Sequence, residues 1–483
     1  MVLVLGAALG AHTTQVEVRD ADTGALVATG STRHADLDPD VDDPTTWWRS
    51  LANAVAQTRQ REIAAISVCG SHPGLVLLDG AGAVLRPMQP WADAEAATHA
   101  ARLRSTLGAD RWAEQAGILP TPATAVSRLA WLRRSDPDTF SRIGAALLPH
   151  DWLTYRLAGR IVTDRGGASL TGAWSPATEA WIPEVLEELA PGGARQWWAE
   201  RLPTVLGPSE RADWLDAPVF ELLGLRGRPL VGPGTGEAMA VALALGLLPG
   251  KVGISLGPTA TVLTGLSRPV VDPSGAVRSH ADATGRHLAV ATAGDGAALI
   301  DAVRTLLGID PTELAALASL DAASPGGDRL VLVPEVPGRD GAVLAGLSAD
   351  TGRGDLARAT FEGVACSALD ALDLVLAAGG TWLDDEPLRL AAPADVIDVL
   401  AQLLADLSGR PVRSAPTASL AAAGACIQAA AVAAHEAPED IAAAWDLGHD
   451  HWDEPVDDVD GAARRQAHTI EHARQRQALT RRR

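Results

Sequence analysis

Apolar residues near the start of the chain follow the two-residue period of strands. Val2–Leu5 is an unbroken apolar run, and Gln15-Val16-Glu17-Val18-Arg19 alternates strictly; the two predict paired strands turning through Gly10, Ala11 and His12. Asp22-Thr23-Gly24 is a second turn signal, and Leu26–Gly30 completes an antiparallel meander. The pattern then changes to a helical one: Pro44 and Trp47-Trp48 open a helix reaching about Arg61, and Ile63–Val68 reads as a buried strand entering Gly70-Ser71-His72-Pro73-Gly74. A meander followed by helix and strand implies a mixed sheet covered by helices.

The opening plan returns at mid-chain. Gly253–Leu256, a turn at Gly257-Pro258-Thr259 and the apolar run Ala260–Leu266 repeat the strand–glycine turn–strand unit. Two such units, each opening about half of the chain, predict two similar lobes facing each other across a cleft. Turns of this kind aim backbone N–H groups at one point, which suits a polyphosphate.

Between the repeats, 95–132 is mainly helical with breaks at Pro120 and Pro122, helices flank Pro149-His150-Asp151-Trp152, and Asp164-Arg165-Gly166-Gly167 reads as a loop. Pro229-Leu230-Val231 predicts a short strand feeding Gly232–Gly236 and an alanine-rich helix over Glu237–Leu245. The second half predicts helix Ala297–Leu307, strand Leu330–Val333, a long helix over Asp355–Ala378, strand Leu388–Leu390, helix Val396–Leu407 and an exposed helix over Ala462–Arg483. The resulting division is an N-terminal lobe at 1–248, a C-terminal lobe at 249–440 and a helical tail at 441–483.

Composition narrows the function. At 483 residues the chain exceeds a single core, and its formal charge of -20 disfavours a phosphate-backbone partner, so nucleic acid is not expected. Lys251 is the single lysine, which leaves anion binding to arginine, backbone amides or metal. Cys69, Cys366 and Cys426 are too widely separated to suggest a disulfide framework or a metal knuckle. No signal-peptide flank and no membrane-spanning apolar run stand out, so a cytoplasmic protein without membrane association is expected.

A family comes into view from landmarks in order: Asp43-Pro44 with Trp47-Trp48, Leu77-Leu78-Asp79 leading to Val84-Leu85-Arg86-Pro87, and Trp91 with Asp93. Leu147–Trp152, Leu356-Ala357-Arg358 before Phe361-Glu362-Gly363, and Ala405–Gly409 follow. Over nearly its whole length the chain resembles the FGGY carbohydrate kinases, most of all the xylulose kinases. The resemblance implies an α/β fold of two ribonuclease-H-like lobes, of the actin and hexokinase type. It further implies sugar held mainly by the first lobe, ATP with Mg²⁺ mainly by the second, and transfer of the γ-phosphoryl group to a sugar hydroxyl. The implied partners are a ketopentose such as xylulose and a nucleotide, and a homodimer is one possible assembly.

Carried over residue by residue, the family pattern places Gly10 and Thr13 in the first phosphate hairpin, Gly257 and Thr259 in the second, and Ala392 in the adenosine segment. It puts His72, Trp91 and Asp93 toward the sugar and Glu237 at the catalytic base. This chain departs from the pattern at the chemistry. Ala8 stands where the family carries a metal-associated aspartate, the basic residue after the first turn is missing, and Pro258 removes a hydroxyl and an N–H donor. Ala391-Ala392-Pro393-Ala394 replaces a glycine run that lets backbone approach the nucleotide. Glu237 has a second reading, an acidic residue stabilised at a helix N-terminus; Trp91 has one as a core residue, His72 as a loop residue, and Asp295 as a helix cap. Two functions stay open: an ATP-dependent sugar kinase, and a catalytically impaired homologue that binds a sugar or metabolite.

Overall fold

The computed structural model describes residues 1–70, 74–87, 94–257, 259–320, 330–334, 341–416, 420–447, 451–456 and 460–480. Contacts divide the chain into two compact units. The first comprises Met1–Leu248, Leu266–Ala289 and Ser419–Leu447; the second comprises Pro249–Gly265, Val290–Ala418 and Gly448–Arg483. The chain passes from the first unit to the second between Leu248 and Pro249 and returns to the first unit twice.

In the first unit the predicted meander is present as β1 (Leu3–Leu9), β2 (Thr13–Asp20) and β3 (Leu26–Arg33), joined edge to edge in antiparallel register. The fourth strand, β4 (Ala65–Gly70), lies parallel to β1 and is buried throughout. Helix Pro44–Thr58 covers β2 and β3 with Trp47, Trp48, Leu51 and Val55. Its start is fixed by Pro44 at the first helical position and by the Asp43 carboxylate, which accepts the Thr45 N–H at 2.7 Å. Gly30 makes the close approach possible, because a Cβ there would collide with the Ala54 carbonyl.

The other face of this sheet carries helix Leu420–Ala434, packed on β1, β4 and helix Glu237–Ala244. Here too backbone meets backbone: a Cβ on Gly6 would strike the Ala422 carbonyl, and one on Gly424 the Ala240 carbonyl. The strand at Leu230–Val231 and the bridge at Thr235–Gly236 both run parallel to β4.

The second unit has its own sheet, in the order His287–Asp295, Thr259–Leu266, Val252–Leu256, Leu388–Ala392, Val412–Pro416 and His451–Asp453. Val252–Leu256, Leu388–Ala392 and Val412–Pro416 are parallel neighbours. Helices Arg353–Ala377 and Ile397–Ser408 pack on one another, and helix Asp460–Thr480 packs on both. No single helix among the described residues is long and apolar enough to cross a membrane.

Three local expectations are corrected. Asp164-Arg165-Gly166-Gly167 is not a loop: Asp164 caps a helix at Arg165–Leu170, accepting the N–H groups of Gly166 and Gly167 at 2.9 and 2.8 Å, and these bonds offset the poor helix propensity of two glycines. Asp295 ends a strand, and the helix after it is capped at Gly296 without a side chain. The C-terminal helix starts at Asp460 and is not wholly exposed, since Arg464 and His468 are buried.

Candidate active site

Three parallel segments of the first unit end together. The register pairs Leu9 with Gly70 and Gly236 with Gly70, so the residues that follow, Gly10 and Glu237, leave one edge of the sheet beside the end of β4 at Gly70. In α/β sheets ligands gather at the carboxyl ends of the parallel strands. Gly10 donates its N–H to Thr13 O at 2.9 Å and closes the first hairpin, leaving Thr13 half-buried at the head of β2. Glu237 is the first residue of helix Glu237–Ala244 and is exposed, with the helix dipole behind it. His72, Trp91 and Asp93 lie outside the described residues.

One row back from this edge, Ala8, Cys69 and Thr235 are cross-strand neighbours. Cys69 packs with Ala240 and Ala425, and Ala8 and Ala421 lie against them. Burial, with Glu237 nearby, pushes the Cys69 thiol well above its ordinary value, so it is a neutral apolar group here. The position of the family's aspartate is therefore a methyl group on an apolar cluster, with no oxygen to offer a cation.

Beneath the edge lies a buried polar cluster that the sequence reading did not single out. His150, the second residue of helix Pro149–Ala158, places Nε2 3.2 Å from Asp151 Oδ1 and 3.4 Å from Asp164 Oδ1. Thr235 donates its hydroxyl to Asp164 Oδ2 at 2.9 Å, tying the cluster to the segment that carries Glu237. Burial, reinforced by Asp164, pushes Asp151 up to about 6 against the pull of His150. Burial alone would depress His150, but the Asp151 carboxylate and the bond to Asp164 outweigh it and hold the imidazole above its ordinary value. The sequence signals were present but separate: Pro149-His150-Asp151-Trp152 served only as a landmark, and the capping role of Asp164 was hidden by the glycines after it.

These three residues are the described group whose donor atoms could converge on a metal. They do not fit the metal of a bound nucleotide. Asp164 already accepts two backbone N–H groups and the Thr235 hydroxyl, Asp151 Oδ2 accepts the Leu148 N–H at 3.0 Å, and all three side chains are buried, whereas such a metal keeps open positions for water and phosphate oxygens.

In the second unit, Ser255 pairs with Ala391, so Gly257, just past its strand, and Ala392, the last residue of the next one, lie at the same ends of neighbouring parallel strands. Thr259 is exposed, and a Cβ at Gly257 would meet nothing closer than Thr259 O at 3.6 Å. Gly257 O accepts the N–H of Ala297 at 2.9 Å, which brings the first turn of helix Ala297–Leu307 to Gly257. An exposed hydroxyl and a helix N-terminus beside Gly257 fit phosphate oxygens. Ala391 and Ala392 are fully buried in their strand, so their methyl groups belong to the core.

The N-terminal domain of the FGGY family of carbohydrate kinases matches residues 3–243. A xylulose kinase of Streptomyces coelicolor is 37% identical over 92% of this chain and 90% of its own length, and one of Streptomyces rubiginosus is 36% identical over 92% and 91%. The crystal structure of xylulose kinase from Bifidobacterium adolescentis superposes with a TM-score of 0.81 at 31% identity, covering 97% of this chain and 99% of that one. The α/β architecture is thus that of the actin and hexokinase type, and the chain belongs to the FGGY family of carbohydrate kinases.

Proposed function

We propose that the protein is an ATP-dependent carbohydrate kinase whose acceptor is a ketopentose, with xylulose the first candidate. The observation that carries this reading is whole-length similarity to xylulose kinases at 36–37% identity. Glu237 beside the Gly10 hairpin, at one sheet edge, supports its assignment as the base that orients the attacking hydroxyl and accepts its proton. Gly10 and Thr13, with Gly257 and Thr259, are assigned to phosphate contacts, Ala392 to the neighbourhood of the adenosine, and His72, Trp91 and Asp93 to the sugar. Holding the reactants in line is most of what such a site contributes to phosphoryl transfer.

A second reading, a sugar-binding homologue with little or no turnover, is favoured by one observation: Ala8 and its neighbours present methyl groups where a metal-associated carboxylate would sit. One pair of measurements separates the two. A kinase is stabilised against heat by sugar and MgATP together and releases ADP with D-xylulose; a binding protein is stabilised by sugar alone and releases none. Ala8→Asp combined with Glu237→Asp is expected to raise turnover by up to roughly a hundredfold, because each restores a contact worth about 1.4 kcal/mol, a factor of about ten, in the barrier. No gain in a folded double variant counts against Glu237 as base.

A further inference from the structure

His150 occupies an unusual place in the first unit: its side chain is walled by three glycines from three separate segments. A Cβ on Gly70, at the end of β4, would lie 3.2 Å from His150 Cβ; one on Gly167 would lie 2.9 Å from Nε2; one on Gly234 would lie 3.4 Å from Cδ2. The contact at Gly167 is closer than real Cβ atoms come, the one at Gly70 is tighter than most, and the one at Gly234 is at ordinary van der Waals distance, so the imidazole is packed against all three and has least room at Gly167. Gly70 is the last residue of β4, and Gly234 opens the segment that leads to Glu237. The ring thus packs against the end of β4 and against the segment that carries Glu237.

The polar contacts point the same way. Nε2 faces Asp164 Oδ1, Asp164 Oδ2 accepts the Thr235 hydroxyl, and Thr235 lies two residues before Glu237. The same segment is held from its other side, where Gln428 Nε2 donates to Gly234 O at 3.0 Å and Gln428 Oε1 accepts the Ser67 hydroxyl. The groups that face the imidazole are the Asp151 and Asp164 carboxylates, with the Thr163 hydroxyl beside Nε2 at the Gly167 wall and the Thr154 hydroxyl beside Cδ2 at the Gly234 wall. Both carboxylates are anchored at helix N-termini, so the cluster is rigid on that side and can hold the loops in turn.

We propose that His150 is a positioning residue for phosphoryl transfer: through Asp164 and Thr235, and by direct packing on Gly70 and Gly234, it sets where Glu237 stands relative to the end of β4 at Gly70. It touches neither reactant. Its effect on rate rests on the kinase reading, whereas its effect on the loops does not.

Two variants test it, each followed by hydrogen exchange and by steady-state kinetics with D-xylulose and MgATP. His150→Ala is expected to speed exchange in peptides covering 66–76 and 230–240 while leaving helix Pro44–Thr58 unchanged. It should also lower kcat by roughly 10–100-fold with KM for sugar moved less than about threefold. His150→Gln keeps an N–H donor near the same reach and is expected to recover kcat to within roughly threefold of wild type. If His150→Ala does not fold, the Gln variant and a Gly234→Ala variant carry the same comparison. Exchange unchanged in both peptides, a uniform speeding across the whole first unit, or a stoichiometric divalent metal lost with His150 would each overturn the proposal. A wild type with no kinase activity would sink the kinase reading, and the exchange result would still decide this one.

Discussion

At the scale of single residues, the first unit buries titratable groups that act in opposite senses. Asp151 is held up to about 6, so between its unfolded value near 3.8 and about 6 the folded state keeps a proton that the unfolded chain has released. Its contribution to stability is present below that window and is lost as pH rises through it. His280 is the reverse: burial, with Arg278 adding repulsion, pushes it down to about 3. Ser169 gives its hydroxyl proton to Gly166 O at 2.7 Å, so the 3.3 Å contact with His280 is made by a neutral Nδ1–H donating to Ser169 Oγ. Stability from His280 is therefore present above pH 6.5 and is lost as pH falls toward 3.

Asp151→Asn is expected to gain melting temperature relative to wild type as pH rises from 4 to 6, by on the order of 5 °C, and then to level. His280→Gln is expected to lose less than wild type on acidification from pH 6.5 to 4.5. Thermal melts across that range check both, and parallel curves for variant and wild type would refute the corresponding assignment. None of this was readable in the sequence, where neither histidine stood apart from the other ten. A pKa depends on what surrounds a group in space, and Asp164 reaches His150 only after a turn of helix and a strand have folded between them.

Elements tell a different story about what sequence can reveal. Helix Ala297–Leu307 has the bounds that its apolar spacing predicts, and the long helix at Arg353–Ala377 differs from its expected span by two residues or fewer at each end. Both combine a clear 3.6-residue period with strong helix formers, so local and tertiary preferences agree. Helix Arg165–Leu170 escaped because its stability comes from one cap and from burial, with propensity against it. The corrected bounds of the first helix have a similar cause: Arg59 turns left-handed at φ 56 and ends it at Thr58, ahead of the expected Arg61.

Glycine placement between elements yields a sharper prediction. Gly424 lets helix Leu420–Ala434 meet helix Glu237–Ala244 backbone to backbone, and a methyl there has no space at the Ala240 carbonyl. Gly424→Ala is expected to destabilise by about 1–3 kcal/mol, although alanine is the better helix former. Gly80 is the control, since a Cβ there meets nothing within 4 Å; Gly80→Ala should change stability by less than about 0.5 kcal/mol. Chemical denaturation of the two variants makes the comparison, and equal midpoints would remove the packing argument. Asp43→Ala, which strips the cap from helix Pro44–Thr58, is expected to cost about 1 kcal/mol in the same assay.

For the whole molecule, the sequence conveyed two repeats and a family, but it conveyed neither how the chain is shared between its compact units nor what the last helix does. A run of Asp, His and Arg reads as a solvated tail. In the structure Arg464 is buried and faces Glu362 at 3.5 Å, Glu362 also accepts Arg358 at 2.7 Å, and Arg465 reaches Asp373 at 2.5 Å. Helix Asp460–Thr480 is thereby bound to helix Arg353–Ala377, the longest element of the second unit, and also covers strand Val331–Val333. Removing residues 460–483 would uncover apolar surface on both and leave Glu362 with one of its two arginines. Amide exchange in helix Arg353–Ala377 and strand Val331–Val333 is then expected to rise by roughly 10–100-fold. Strands β1, β2 and β4 of the first unit should exchange as before. A truncated chain whose long helix stays as protected as in the full protein would return the C-terminal segment to the role of an exposed tail.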